Sequence, residues 1–485
     1  MFLRNSRREH INKKVPMRKC TCLLLPILLT TLSGCVSTPS FNTQENDSRI
    51  IPSSWSGAPA IEAAPVPDPA LWWSTWSDQE IGRLVAEAVK ANTDVRQAQE
   101  ALRYAQASET VANAGLFPSL DADYRASRSH SKGSGVNAFS IGLNVSWTID
   151  AGGRYAGAQA ALADYLSAEA SLGEVRIGIA SQVASAYVNL RLAQKRLLVA
   201  QENAKTQKES LDIADWRYLS GLVPSTDVDQ ARTSYEQTRA SISVYRAQVE
   251  QYKNLLARLT SKKPEDFDYS KREDIPLPPQ NIALEIPGEA LRHRPGVRAA
   301  EAKVLAALAR YTQSVSALFP SLTIGGSFGL SGPVMGSLGE AGTHNSNAFG
   351  SLTLPIFNAG SLLAQIEQRD AQAAKAKIDY EASLLTGVQE VENALNKIWS
   401  QEARLKSLAV AEKSALNAAA AARQNYSAGL QDFTVVLSTQ RTLLTVQESL
   451  ASAQAEIAQG YIDLYTALGG GWSTPAGFHK NVQQG

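Results

Sequence analysis

Cysteine is nearly absent from this chain of 485 residues: Cys20, Cys22 and Cys35 are all there is. The first two lie inside an amino-terminal signal-like segment, so a mature chain would keep one thiol and form no internal disulfide. Histidine is equally sparse. His10, His130, His293, His344 and His479 are scattered with no metal-ligand spacing, which argues against a metal site. No phosphate-binding loop is present, because Gly325-Gly326 sits within an alternating segment and Gly469-Gly470-Gly471 follows a helix instead of opening one. There is neither a Gly-x-Ser-x-Gly motif nor a Cys/His pair, and the plentiful carboxylates interleave with Lys and Arg as on solvated helix faces. These gaps point away from an enzyme and from any bound cofactor. Basic excess is missing too. Formal net charge is +1, and the first 34 residues hold seven Lys and Arg against one Glu, so the remainder is net acidic. Nucleic acid is therefore not an expected partner.

Proline is absent where the chain is longest in one pattern. From Gly360 to Thr474 runs a helical sequence rich in Ala, Leu, Gln, Glu and Lys, interrupted only at Tyr426-Ser427-Ala428-Gly429-Leu430. The part before the break predicts a rod of roughly 95 Å. A rod of that length must pack along others. The same pattern stands 208 positions earlier, from Arg154 to Val223, where Tyr218, Gly221 and Leu222 align with Tyr426, Gly429 and Leu430. Asp150-Ala151-Gly152 aligns with Asn358-Ala359-Gly360. Upstream the offset is 202, with Leu116-Phe117-Pro118-Ser119-Leu120 repeated as Leu318-Phe319-Pro320-Ser321-Leu322. The chain is an internal duplication.

The first 34 residues read as a signal peptide, with a basic start and an apolar run from Cys22 to Leu32 that is too short to span a bilayer. Met17 offers a second possible start. Leu32-Ser33-Gly34-Cys35 resembles a bacterial lipobox, which makes Cys35 the candidate lipidation site and a covalent lipid the only expected attachment. Val36 follows it in place of the aspartate of an inner-membrane retention signal, which favours the outer membrane. Residues 35–77 read as a lipid-anchored extended tether rich in Pro, Ser, Asn and Thr. At its end Trp72, Trp73 and Trp76 suit a packed plug or a membrane-interface anchor, packing being favoured because a helix follows at once. Ser77 or Asp78 suits its N-cap.

Between the helices the period changes from 3.6 to 2. Phe139, Ile141, Leu143, Val145, Trp147 and Ile149 are apolar at every odd position, with small or polar residues between, which predicts a strand with one apolar, lipid-facing side. A partner from Ser119 to Ser129 joins it in a hairpin. The second copy repeats the plan with Leu322, Ile324, Phe328 and Leu330, then Leu352, Leu354 and Ile356. Strands of this length can cross a bilayer when tilted. Four strands cannot close a barrel, and open edges are not tolerated in hydrocarbon. Two copies would give eight strands and a filled interior, whereas three give twelve and leave a lumen. The expected domain plan is a first repeat at 78–260 (hairpin about 119–149), a proline-rich linker at 261–286, a second repeat at 287–468 (hairpin about 321–357) and a tail at 469–485. One helix is expected from Gln79 to about Gly115 and another from Pro287 to Leu318.

The lipobox, the tryptophan-rich start, two Phe-Pro-Ser-Leu strand starts, the Asp/Asn-Ala-Gly strand exits and twin Tyr-x-x-Gly-Leu helix turns together resemble the outer-membrane factors. These are the TolC-like channels, particularly the lipoprotein branch serving resistance-nodulation-division efflux pumps. The resemblance spans Cys35 to Trp472. It implies a mixed α and β membrane protein: a homotrimer whose four strands per protomer pool into a twelve-stranded outer-membrane barrel, continued by a long helical periplasmic barrel. It further implies a passive duct for drugs or other small molecules, with a periplasmic adaptor, an inner-membrane pump and outer-membrane lipid as partners. By the same resemblance, Gly221, Leu222, Val223, Pro224 and Gly429, Leu430, Gln431 form tips that dock on the adaptor. Many relatives carry Asp in a Leu-Asp-Ala stretch nine residues past the second tip glycine, at a periplasmic aperture. Here that stretch reads Leu437-Ser438-Thr439, and Val435 stands six past the glycine. Asp432, Asp227 and Asp229 are the nearest substitutes for an acidic ring, with Ser438 in the old place; Asp432 also suits a helix cap.

Three other readings stay open at this stage. A type I protein secretion channel would share the whole plan. A periplasmic adaptor carries one hairpin per chain and no strands with a continuous apolar face. A structural coiled-coil lipoprotein would show sustained heptads. A passive duct has no pocket that reads its cargo, so drug, metal ion, oligosaccharide and protein are all admissible.

Overall fold

The computed structural model describes residues 38–42, 49–55, 72–73, 76–131, 133–267, 274–276, 278 and 287–470. Cys35, the signal peptide and the tail from 471 lie outside them. The chain divides into two compact units, one formed by residues 118–153 and 315–358 and the other by the remaining described residues.

The first unit is a four-stranded antiparallel sheet in the order β1 (Ser119–Ser131), β2 (Ser134–Ile149), β3 (Ser321–Gly332), β4 (His344–Thr353). Its register puts like beside like. Ala122 faces Leu143, which faces Phe328, and Trp147 faces Ile324, which makes one side apolar across β1, β2 and β3. On the other side Asp121 faces Asn144, Asn144 faces Ser327, and Thr148 bonds Thr323 at 3.1 Å. Ile141, Leu143, Val145 and Trp147 are exposed on the isolated chain, while Phe139 and Ile149 at the ends of the run are half-buried. Leu354 and Ile356, expected on the returning strand, lie past its end at Thr353. Pro355 brings no N–H donor to the ladder there.

The second unit is helical: α1 (Gln79–Ala91), α2 (Thr93–Ala114), α3 (Gly153–Leu219), α4 (Ser225–Leu259), α5 (Pro287–His293), α6 (Pro295–Ser316), α7 (Ser361–Ser427) and α8 (Phe433–Ala467). The two single helices expected before the hairpins are each broken in two. Asn92 breaks the first by leaving the helix, capping Asp94 N–H at 2.8 Å and donating to Leu259 O at 2.9 Å. Pro295, which cannot accept the bond pattern of a continuing helix, opens α6 at the aligned place 202 residues on. The duplication therefore extends to helix breaks that the sequence comparison alone did not reveal.

Asp78 caps α1, accepting from Glu80 N–H at 2.9 Å; Ser77 does not. Ile81, Leu84, Val85 and Ala88 then fall on one buried face. Trp72 and Trp76 are buried, and Trp72 stacks on Tyr465 at 5.1 Å. The tryptophans thus pack as a plug. Phe41 meets Tyr380 edge-on at 5.4 Å and Trp55 is buried, so parts of the expected tether pack on the helical unit, while residues such as 39, 40, 53 and 54 stay exposed.

A polar ladder runs along the seam between α3 and α8. Gln459 donates to Ser185 Oγ (2.7 Å), Arg196 to Ser452 (2.8 Å), Asn203 to Gln447 (3.0 Å) and Gln440 to Ser210 (2.9 Å). Arg196, Asn203 and Ser210 recur every seven residues, the repeat of a helix seam. Alanine-rich surfaces flanking them offer little shape to fix how two long rods align. Polar pairs, half-buried here except for the buried Gln440–Ser210 bond, do that better, because a slip leaves donors without acceptors. No helix among the described residues is long and apolar enough to cross a membrane.

Candidate functional site at the helix tips

Each pair of rods reverses through the same backbone device. At the end of α3, Leu222 N–H bonds Arg217 O and Gly221 N–H bonds Tyr218 O, both at 2.8 Å; at the end of α7, Leu430 bonds Asn425 (2.9 Å) and Gly429 bonds Tyr426 (3.0 Å). This is the double bond of a Schellman cap, which needs a left-handed residue at its corner. Gly221 (φ 71°) and Gly429 (φ 78°) supply it. Such caps usually tuck the next residue against the helix. Here Leu222 is 67% and Leu430 78% exposed, so both leucines point away from their own rods. Val223 and Gln431 are half-buried, and Pro224 is exposed at the N-cap position of α4.

Beneath the turns lies a small core of its own, with Leu211, Ala214, Val228, Tyr426, Phe433 and Val436 buried together. The two aligned tyrosines differ here. Tyr218 is exposed, whereas Tyr426 is 2% exposed and packs on Phe433 at 5.1 Å. Arg217 places its guanidinium 4.6 Å from the Tyr426 ring centre and donates to the Tyr426 carbonyl. The Tyr426 hydroxyl donates to Asp227 Oδ2 at 3.4 Å. Burial, then the charge of Asp227, pushes the Tyr426 hydroxyl up to about 12. The first repeat thus provides the cation and the carboxylate, and the second provides the ring between them.

Asp227 is therefore engaged in a bridge across the two repeats. Asp432 sits at the N-cap position of α8, exposed, but its carboxylate makes no capping bond. The capping role that its position suggests is not taken up. Asp229 and Ser438 come together instead, lining a groove of about 540 Å³ between α4 and α8 with Thr226, Thr233, Thr434 and Arg441. Ser438 donates to Val435 O at 3.0 Å and Thr233 to Asp229 O at 2.7 Å. Asp227, Asp229 and Ser438 are legible in the sequence as aperture candidates, whereas the parts played by Tyr426, Arg217 and Arg441 emerge only from the fold. A signal was present. At the 208-residue offset, Arg217 aligns with Asn425 and Asp227 with Val435, so the two repeats differ in charge where they meet.

Comparison with known proteins agrees with this architecture. A family model described as "Outer membrane efflux protein" matches residues 84–262 and 286–470. Nodulation protein T of Rhizobium leguminosarum bv. viciae is 30% identical over 77% of this chain and 77% of its own length. Outer membrane protein OprJ of Pseudomonas aeruginosa is 28% identical over 92% of this chain and 95% of its own. Among solved structures, the outer-membrane channel OprN is similar at a TM-score of 0.79 with 27% identity, covering 90% of this chain and all of that one. Duplicated sheet hairpins, twin-capped rods and the span of the family match lead to one conclusion: the chain belongs to the outer membrane efflux protein family, with the TolC-like fold, and is an outer-membrane channel component of an efflux system.

Proposed function

We propose that three copies of this chain close a twelve-stranded barrel in the outer membrane and pool their helices into a periplasmic duct, fed by an inner-membrane pump through an adaptor. The observation that carries this reading is the sheet. Its order leaves β1 and β4 with one unpaired edge each, and its apolar side from Phe139 to Ile149 is largely uncovered. That run is about 33 Å along the strand, or roughly 25 Å when tilted as barrel strands are, matching the apolar band of outer-membrane barrels. An open edge in lipid is costly, so β1 of one copy pairs with β4 of the next. Light scattering of the detergent-solubilised protein should give three chain masses; two or four would overturn the stoichiometry.

The exposed Leu222 and Leu430, with Gly221, Val223, Pro224, Gly429 and Gln431, form the rim that receives the adaptor. Changing either leucine to Asp should abolish efflux while trimers persist in the membrane. Transport surviving both changes would remove the rim from the docking surface. Cys35 carries the lipid, and the mass of the mature amino terminus reads this directly: an unmodified Cys35, or cleavage elsewhere, refutes it. The mature chain thus acts as a passive conduit tethered by that lipid.

A further inference from the structure

The β3–β4 loop does not stand clear of the sheet. Residues 333–343 form a closed loop whose ends are tied by Ser331 N–H to Thr343 O at 2.9 Å. Inside it, Ser337 Oγ donates to Val334 O (2.8 Å), Thr343 Oγ1 to Glu340 O (2.8 Å), and Gly339 N–H to Thr343 Oγ1 (3.2 Å). Ordered loops of this length, packed by their own bonds, are frequently functional. This one leans back across β2. Tyr124 of β1 donates its hydroxyl to Met335 Sδ at 3.6 Å, although β2 lies between β1 and the strand that carries the loop.

Tyr124 identifies the side on which the loop lies. It pairs with Ile141, and Ile141 with Leu330, so it belongs to the apolar side of the sheet. Met335 lies there beside Tyr124, and it and the adjacent Val334 are 60% and 55% exposed. Further along the same side of β1, past Ala126, stands Arg128, exposed and paired with Asn137. Its position is about 13 Å along the strand from Tyr124. The chain enters and leaves the sheet at Ser119, Ile149, Ser321 and Thr353, all at one end, so Arg128 and the loop share the opposite, turn end.

We propose that Arg128 and the β3–β4 loop form a binding site for a phosphorylated, acylated lipid of the outer leaflet, its phosphate on Arg128 and an acyl chain over Tyr124, Val334 and Met335. The proposal rests on the reading of this side as lipid-facing, and the site is continuous with that surface. The spacing suits the ligand: a guanidinium at headgroup height and apolar side chains one step deeper follow the polarity of a lipid along its length.

Two measurements on the full trimer test it. In the first, Met335→Cys carries an environment-sensitive fluorophore in vesicles containing lipids brominated on their acyl chains, with Leu143→Cys as reference and the unsubstituted protein as labelling control. Quenching at 335 by brominated lipid and not by aqueous iodide is expected. Quenching by iodide, or protection from both by a neighbouring subunit, overturns the proposal provided that 143 is quenched by lipid; a lipid-inaccessible 143 refutes the lipid-facing reading itself. In the second, native mass spectrometry follows lipid A retained by the trimer. Arg128→Gln should lower retention about fivefold, the effect of about one cation near a phosphate layer, and dephosphorylated lipid A should be insensitive to the change. Inorganic phosphate at millimolar concentration should not displace the lipid. Equal retention by the variant and the parent overturns the site.

Discussion

Arg217 and Tyr426 lie 209 residues apart in sequence and share two contacts: the guanidinium rests on the ring face and also donates to the backbone carbonyl of the same residue. One side chain thus holds both the aromatic ring and the turn it belongs to, tying the tip of the first repeat to that of the second. The two partners of Tyr426 are unequal. A charge-assisted bond to a carbonyl contributes about 1.5–3 kcal/mol, whereas the hydroxyl bond to Asp227, at 3.4 Å, is near the limit of a useful geometry. Arg217→Ala should loosen the tip clearly, and Tyr426→Phe should do so only slightly. Single-channel conductance in planar bilayers checks the order: a larger rise in the Phe variant than in the Ala variant would reverse the assignment.

Alkaline pH should act on the same contact. The Tyr426 hydroxyl is held at about 12, above the ordinary 10 of an unfolded tyrosine. Its contribution is complete below pH 10 and is lost as pH rises through 12, since ionising it would set a phenolate beside Asp227. Conductance should therefore climb between pH 10 and 12, with a smaller climb in Tyr426→Phe. Tyr245 and Tyr461 also ionise near 12, so the difference between the two proteins is the quantity to read.

The tip glycines should tolerate no side chain. Both have positive φ, where an L-residue costs about 1–2 kcal/mol. Space is not the issue at Gly221, around which a Cβ would meet nothing within 4 Å. Gly221→Ala and Gly429→Ala should each lower the midpoint of thermal unfolding, and Gly221→Asn, which accepts the left-handed region more readily, should recover part of the loss.

Within the sheet, Gly325 and Phe349 face each other across β3 and β4, on the polar side. A Cβ on Gly325 would fall on the Phe349 ring, so the ring covers the glycine and replaces the side chain it lacks. Gly325→Ala should destabilise the assembled protein, and Phe349→Ala in the same chain should relieve part of that loss. The temperature at which the oligomer dissociates on a semi-native gel reads both.

How much of this was legible beforehand depended on the range of the forces involved. Strand alternation from Phe139 to Ile149 and the duplicated rods follow from local periodicity, and the structure reproduces both. The capped reversals at Gly221 and Gly429 were legible because a left-handed corner selects glycine. The break at Asn92 was not, because asparagine is unremarkable until a distant carbonyl, that of Leu259, is there to accept its amide. Tyr426 escaped for a related reason. It matches Tyr218 in sequence, yet one is exposed and the other buried, a difference set by Arg217 and Asp227 arriving from the other repeat.

The ladder between α3 and α8 has a consequence for the shape of the rim. Ser210 precedes Gly221 by eleven residues, and Gln440 follows Gly429 by eleven; Asn203 and Gln447 stand eighteen from the same two glycines. With these partners joined, both turns stand the same number of residues beyond the last rung, so neither rod can run ahead of the other along the seam. A slip of a single residue would lift one turn about 1.5 Å above the other and leave a stepped edge. The rungs therefore behave as a gauge block, levelling two separately folded reversals into one even mouth, against which a second component can seat without a gap.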